Sequence, residues 1–232
     1  MRILGLIPAR AGSKGIPNKN KKLLAGKPLL QYTVEAALAA TGLTDVVFSS
    51  EDESLRKLAK NFGAQVLFER PDALATDTAR SIDVVIHALE ALTALGKSYD
   101  AVCLLQVTTP FRTAQQIDEA IASFTATKAD SLISVIEVPH HYNPHWVFEA
   151  TQDNCLVLAT GDEKIITRRQ ELPKAYVRDG AIYLTDTKVL KEKHSFFGDM
   201  LGYVTSDVEA HVNIDTEADW QRAEALMKNS QG

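Results

Sequence analysis

Between Pro8 and Lys22 the chain sets small residues and cations side by side. Pro8-Ala9-Arg10-Ala11-Gly12-Ser13-Lys14-Gly15 runs on through Ile16-Pro17-Asn18 to Lys19-Asn20-Lys21-Lys22. Arg10, Lys14, Lys19, Lys21 and Lys22 bring five positive charges together in a protein whose formal net charge is -5. Gly12 and Gly15 let successive amides turn toward an anion and let a ligand approach where a Cβ would obstruct it. Arg and Lys donate charge-assisted hydrogen bonds to phosphate oxygens, so the chemistry this loop fits is polyphosphate binding. It is not a Walker A loop, which needs Gly-Lys followed by Ser or Thr, and it lacks the glycine pattern of a dinucleotide site. A solvated surface loop is the bland alternative. Its place directly after a first buried strand favours the ligand, because ligands bind at the carboxyl ends of parallel strands.

Other stretches carry groups of the same kind. Arg70 and Ser81 bracket a polar segment and are expected to face a nucleotide, although such residues are also ordinary cap and turn formers. Gln106 opens Gln106-Val107-Thr108-Thr109-Pro110-Phe111-Arg112, an abrupt change to hydrogen-bonding side chains after an apolar run. Near the end, His211-Val212-Asn213-Ile214-Asp215-Thr216-Glu217 reads as a strand whose alternation puts Asn213 and Asp215 on one side. A hard divalent cation bound together with phosphates needs only one or two such oxygens. His140, His141 and His145 invite zinc, but Asn143-Pro144 keeps them off a shared helix face and no Cys or carboxylate completes a set.

The elements that must position these groups alternate. Ile3 to Ile7 is a short, branched, uninterrupted apolar run, as expected of a strand buried on both faces. A helix opening at Lys27-Pro28 carries Leu30, Val34, Ala37 and Leu38 on one face. Strands follow at Val46–Ser49 and Gln65–Phe68, separated by a helix that Gly63 ends in a left-handed cap. A further helix carries Ile82, Val85, Ile86 and Leu89, with Ser81 or a neighbour as its cap. The most hydrophobic strand, Ala101 to Leu105, is expected to be central. Thr113 and Gln116 form a capping-box pattern before the helix of Ile117, Ala120, Ile121 and Phe124, and Thr216 with Asp219 could do the same before that of Trp220. The pattern predicts an α/β fold, a mostly parallel central sheet with flanking helices. From about Glu149 to Ala175 the sequence turns polar and irregular, which reads as an excursion from the sheet and a possible dimerisation arm.

Composition narrows the class further. At 45% hydrophobic and 24% charged over 232 residues, the chain is an ordinary globular protein able to bury a large core. Mild overall acidity argues against nucleic-acid and membrane-surface roles. The two cysteines, Cys103 and Cys155, belong to no metal cluster and fit a reducing compartment. No signal peptide opens the chain and no run is long and apolar enough to span a bilayer, so the expectation is a cytoplasmic protein.

The first loop, Leu105 to Arg112, Arg169-Gln170-Glu171-Leu172-Pro173, Gly180-Ala181-Ile182-Tyr183 and Asn213 to Glu217 occur in one order over nearly the whole chain. Together they strongly resemble the motifs of the N-acylneuraminate cytidylyltransferases, the CMP-sialic acid synthetases. The resemblance implies a nucleotide-diphosphosugar transferase type of fold, with residues 1–232 as one domain and a dimerisation and substrate-lining excursion at about 139–178. It implies a homodimer with a cross-subunit pocket, and Mg²⁺. It implies that CTP and a nine-carbon 2-keto sugar acid give a CMP-sugar and pyrophosphate. N-acetylneuraminate leads as the sugar acid, followed by legionaminate or pseudaminate and then Kdo; a silent nucleotide-sensing protein is the non-enzyme alternative. By the same resemblance Arg10, Ser13, Lys19 and Asn20 match the triphosphate loop, with Arg10 and Lys19 catalytic. Arg70, Ala79 and Ser81 match the cytidine side, and Gln106, Arg169 and Tyr183 the sugar contacts. Phe196 and Phe197 would reach a neighbour's pocket, and Asp215 would hold the metal. Two positions depart from the pattern: Asn213 stands where a second carboxylate is common, and Tyr142 to Trp146 offers no substrate lysine.

Overall fold

A computed structural model describes residues 1–12 and 15–229, so Ser13 and Lys14 lie outside the described residues. In chain order the strands are β1 (Ile3–Pro8), β2 (Leu23–Leu24), β3 (Lys27–Pro28), β4 (Asp45–Ser49), β5 (Ala101–Leu104), β6 (Ser131–Glu137), β7 (Phe148–Ala150), β8 (Leu156–Leu158), β9 (Tyr176–Asp186) and β10 (Leu201–Thr205). The helices are α1 (Leu29–Ala39), α2 (Glu53–Asn61), α3 (Ser81–Ala94), α4 (Ala114–Thr127), α5 (Thr187–Lys193) and α6 (Glu217–Asn229).

One six-stranded sheet, ordered β10-β6-β9-β5-β1-β4, carries the architecture. β1 pairs in parallel with β4 and β5, and β10 with β6. β9 runs antiparallel to both β5 and β6, so the sheet is mixed and mostly parallel. Side-chain alternation along β1 explains why its whole apolar run is buried. Ile3 and Ile7 enter a core shared with α1, α2, α4 and α6, whereas Leu4 and Leu6 enter a second core under α3 and α5. Thr113 and Gln116 close the expected capping box on α4, and Gly63, at φ +101°, ends α2 as anticipated. No helix among the described residues is long and apolar enough to cross a membrane.

Several elements differ from the sequence expectation, each for a local reason. Lys27 and Pro28 pair with Leu23 and Leu24 in a small hairpin, and α1 begins only at Leu29. Gln65 to Phe68 makes only an isolated bridge from Gln65 to Val47. Val66 packs on the first core and Phe68 on the second, so both side chains find cover without a ladder. Asn213 to Asp215 is irregular backbone; Val212 and Ile214 are buried and Asn213 and Asp215 exposed, so the alternation of faces persists without strand pairing. β10 was not anticipated, because Leu201-Gly202-Tyr203-Val204-Thr205 lies at the sheet edge with alternate residues exposed. Between β6 and β9 the chain leaves the sheet, forming short 3-10 turns and the β7–β8 hairpin, on which Phe148, Leu156 and Val157 are exposed.

Candidate active site

Because β1, β4 and β5 run in parallel, their carboxyl ends share one edge, and there a cavity of about 310 Å³ opens. Arg10, Lys19 and Asn20 line it from the loop after β1, with Gln106 from the end of β5. Arg70, Ala79, Ser81 and Asp215 also line it. Ser81 begins α3 with Arg80 as the N-cap residue and no side-chain cap, so the expected capping role falls away.

The loop after β1 is fastened at several points. The Asn20 side-chain amide donates to the Arg10 carbonyl at 2.9 Å. Lys19, only 8% exposed, donates its ammonium to the Ile214 carbonyl at 2.5 Å and to Asp215 Oδ1 at 3.2 Å. Gly15 allows the approach of these two segments: a Cβ there would lie 2.0 Å from the Asp215 carbonyl oxygen, a distance no side chain tolerates. Asp215 Oδ2 accepts from the Asn213 amide at 2.9 Å. Its backbone N–H donates to Asp219, which with Thr216 forms the anticipated pair at the start of α6. Opposite, Arg10 Nη1 meets Asp77 Oδ1 at 2.7 Å.

Two residues that brace the loops of the cavity were not singled out as site residues from sequence. Glu51, just past β4, accepts from the Ala11 N–H at 2.8 Å and from Arg70 Nη2 at 2.6 Å. The same Arg70 nitrogen donates to the Ala9 carbonyl at 2.5 Å, and Arg70 is 4% exposed. Burial pushes the Glu51 carboxyl upward, but the hydrogen bonds from Arg70 and Ala11 outweigh it and hold the group below the usual carboxylate range. Glu51 and Arg70 therefore clamp both sides of Arg10. The only signal in the sequence is a carboxylate at a strand end, and its neighbour Asp52 supplies the ordinary explanation by capping α2. Arg112 is the second: its guanidinium donates to the carbonyls of Gln106 and Ala181 and to the Thr109 hydroxyl, fixing the loop that carries Gln106. Burial lowers its pKa to about 10.

Other expected groups lie elsewhere. Lys21 pairs with Asp52 at 3.3 Å, and Lys22 pairs with Glu217 at 3.0 Å over the ring of Trp220. The described cations of the cavity are therefore Arg10, Lys19 and Arg70. Arg169 lines a separate cavity of about 400 Å³ with His140, Asn143 and Lys174. Tyr183 is buried with its ring 5.7 Å from that of Phe196, Phe197 is 41% exposed, and Asn213 meets the cavity only through Asp215. No cluster of three or more His, Cys, Asp or Glu suited to a metal occurs among the described residues. Cys103 offers no nucleophile, since burial pushes its thiol up to about 12.

Comparison with known proteins places this arrangement among relatives. A family model described as cytidylyltransferase matches residues 4–197. The CMP-N,N'-diacetyllegionaminic acid synthase of Legionella pneumophila is 35% identical over 232 residues, covering 100% of this chain and 98% of that protein. The N-acylneuraminate cytidylyltransferase of Escherichia coli is 33% identical over 228 residues, covering 98% of this chain and 52% of that longer protein. A solved structure of CMP:2-keto-3-deoxy-manno-octonic acid synthetase complexed with CTP superposes with a TM-score of 0.73 at 16% identity, covering 99% of this chain and 100% of its own, a likeness of fold.

Proposed function

The chain belongs to the cytidylyltransferase family, and from that premise we propose that it joins CTP to a nine-carbon 2-keto sugar acid, giving the CMP-sugar and pyrophosphate. The sugar's anomeric oxygen attacks the α-phosphorus, the bond to the β-phosphate oxygen breaks, and the hydroxyl proton is released. Such a transfer needs alignment and charge neutralisation rather than a covalent intermediate. The observation that carries the reading is that Arg10, Lys19, Gln106 and Asp215, from widely separated segments, line one cavity.

In this reading Arg10 and Lys19 neutralise the triphosphate and the leaving pyrophosphate, and Ser13 belongs to the same loop. Asn20 holds that loop through the Arg10 carbonyl. Arg70, Ala79 and Ser81 face the cytidine, and Gln106 orients the sugar acid. Asp215, with its side chain 63% exposed beside the Ile214 carbonyl, offers the oxygen-only donor set that a hard cation accepts when phosphates and water complete it. Mg²⁺ held there would supply neutralisation of the developing phosphate charge. Asn213 is the weaker candidate ligand, since its amide nitrogen is turned toward Asp215.

The sugar side is completed by a second copy of the chain. Arg169, Tyr183, Phe196 and Phe197 do not line the cavity of their own chain, and the exposed apolar residues of the β7–β8 hairpin suit a homodimer contact. Residues 1–232 then form one domain with its excursion at about 139–178, working in the cytoplasm, where CTP is made. N-acetylneuraminate is the first substrate reading. Legionaminate is the second, favoured by the 35% identity over the full chain with the Legionella enzyme; pseudaminate and Kdo follow.

The test is pyrophosphate release from CTP and Mg²⁺ across a panel of these four acids. Release that requires both the cation and one acid is expected. CTP binding without turnover on any acid would instead establish a silent nucleotide sensor.

A further inference from the structure

The carboxylate that this reading gives to the cation and the ammonium that it gives to the phosphates are, in the ligand-free chain, each other's partners. Lys19 is buried, and a buried ammonium must find oxygen partners. It has the Ile214 carbonyl at 2.5 Å and Asp215 Oδ1 at 3.2 Å. One carbonyl and one carboxylate are the donor types that a small divalent cation takes from a protein. We propose that Lys19 is a built-in placeholder for the divalent cation, which enters the site only with a nucleotide whose phosphates draw the ammonium away. The inference rests on the reading of Asp215 as the cation's carboxylate.

Charge counting supports it. One ammonium and one carboxylate cancel, and Asn213 adds no charge where a second carboxylate could stand. Its amide instead directs hydrogens at Asp215 Oδ2, so both carboxylate oxygens already face donors. Neighbouring acids are engaged as well. Asp219 accepts from Asp215 and Thr216, Glu217 pairs with Lys22, and Asp77 pairs with Arg10. A free divalent ion must therefore displace the Lys19 ammonium from the one carboxylate it would take, with only the Asp219 carboxylate, held by neutral donors, adding negative charge beside it, and affinity for such ions is set largely by the number of ligand charges. A bound triphosphate changes the balance, because Lys19 lines the same cavity as Arg10 and can exchange carboxylate for phosphate. The Asn20 to Arg10 hydrogen bond keeps the loop in place while the side chain moves.

Mn²⁺ is the probe, followed by water-proton relaxation, which separates Mn²⁺ on the protein from Mn²⁺ on free CTP. The wild-type chain is expected to take up Mn²⁺ only when CTP is present. Lys19→Gln removes the placeholder and Asn213→Asp adds a charge at an exposed position that leaves the core untouched. Both are expected to bind Mn²⁺ without nucleotide, roughly tenfold or more tightly than wild type. Wild type binding Mn²⁺ alone as well as the variants do would overturn the placeholder. Variants as silent as wild type without CTP, while CTP-loaded wild type binds Mn²⁺, would overturn it alone. No protein-bound Mn²⁺ in wild type even with CTP would overturn the underlying reading of Asp215.

Discussion

Arg10, Gln106 and Asp215 reach one cavity from three distant segments, while Arg169, Tyr183, Phe196 and Phe197 scatter over a second cavity, a buried ring pair and the surface. The first group sits where parallel strands end together. The ladders of β1, β4 and β5 fix those ends, and Glu51, Arg70 and Arg112 then tie the loops to them. Of the second group, Tyr183 is held in the β9 ladder, but Arg169 hangs on the segment between β6 and β9, where short 3-10 turns and one exposed hairpin replace ladder pairing, and Phe196 and Phe197 hang on the turn after α5. A site on strand ends is complete within one chain. A site on an excursion needs something to pack against, and the exposed Phe148, Leu156 and Val157 offer apolar surface to the second copy proposed above.

If this contrast is right, the largest effect belongs to the strand-end group. Asp215→Asn should lower turnover roughly 10²–10³-fold, the scale of losing one preorganised charge partner in a transferring site. Its side chain is 63% exposed, so the melting temperature should stay within about 3 °C of wild type. Steady-state kinetics beside a thermal melt reads both. Unchanged turnover would remove Asp215 from the chemistry and with it the claim that the cavity is the complete half.

A smaller effect, divided between binding and stability, is expected among the residues that brace the cavity's loops. Glu51→Gln leaves the Arg70 guanidinium buried without its carboxylate and frees the Ala11 amide. The cost should be about 2–3 kcal/mol, below that of a fully buried pair because the cavity admits water. KM for CTP should rise several-fold with kcat nearly preserved, since the loop is loosened rather than its charges removed. The pH dependence has a definite sign. Glu51 titrates below its unfolded value, near 4.3, so its contribution is full above that pH and is lost as pH falls through the folded value. Wild type and Glu51→Gln should therefore converge in stability on acidification. A constant gap down to pH 3 would mean that the ionised carboxylate is not what clamps the loop.

The same contrast governs what the sequence could reveal. The phosphate-type loop was legible because small residues and cations follow an apolar run directly, and the capping box of Thr113 and Gln116 and the left-handed Gly63 were legible because their cause lies within a few residues. The family motifs brought Gln106 and Asp215 to the same cavity in outline. Hidden from sequence were effects whose partners are remote: the antiparallel direction of β9, the reduction of Gln65–Phe68 to one bridge, and the edge strand β10. Lys21 and Lys22 look like phosphate cations until Asp52, Glu217 and Trp220 arrive from elsewhere to take them. Glu51 was hidden because both of its partners lie outside its own element.

The least drastic change tests the incomplete half. Phe197 is 41% exposed on the turn after α5, and its neighbour Phe196 packs on Tyr183, so truncating Phe197 disturbs little within its own chain. If a second copy completes the sugar side, Phe197→Ser removes an apolar wall from the partner's site and raises KM for the sugar acid a few-fold, the scale of losing one partly buried apolar side chain. KM for CTP should not move, because Phe197 does not line the triphosphate cavity. Mixing Phe197→Ser chains with Asp215→Asn chains sharpens the test. Where each active site draws its aromatic from the partner, a mixed dimer pairs the intact Asp215 of one chain with the intact Phe197 of the other and recovers wild-type KM in half its sites. Where Phe197 serves its own chain, the intact Asp215 always travels with the truncated side chain and the raised KM persists at any mixing ratio, which would confine the sugar side to a single chain.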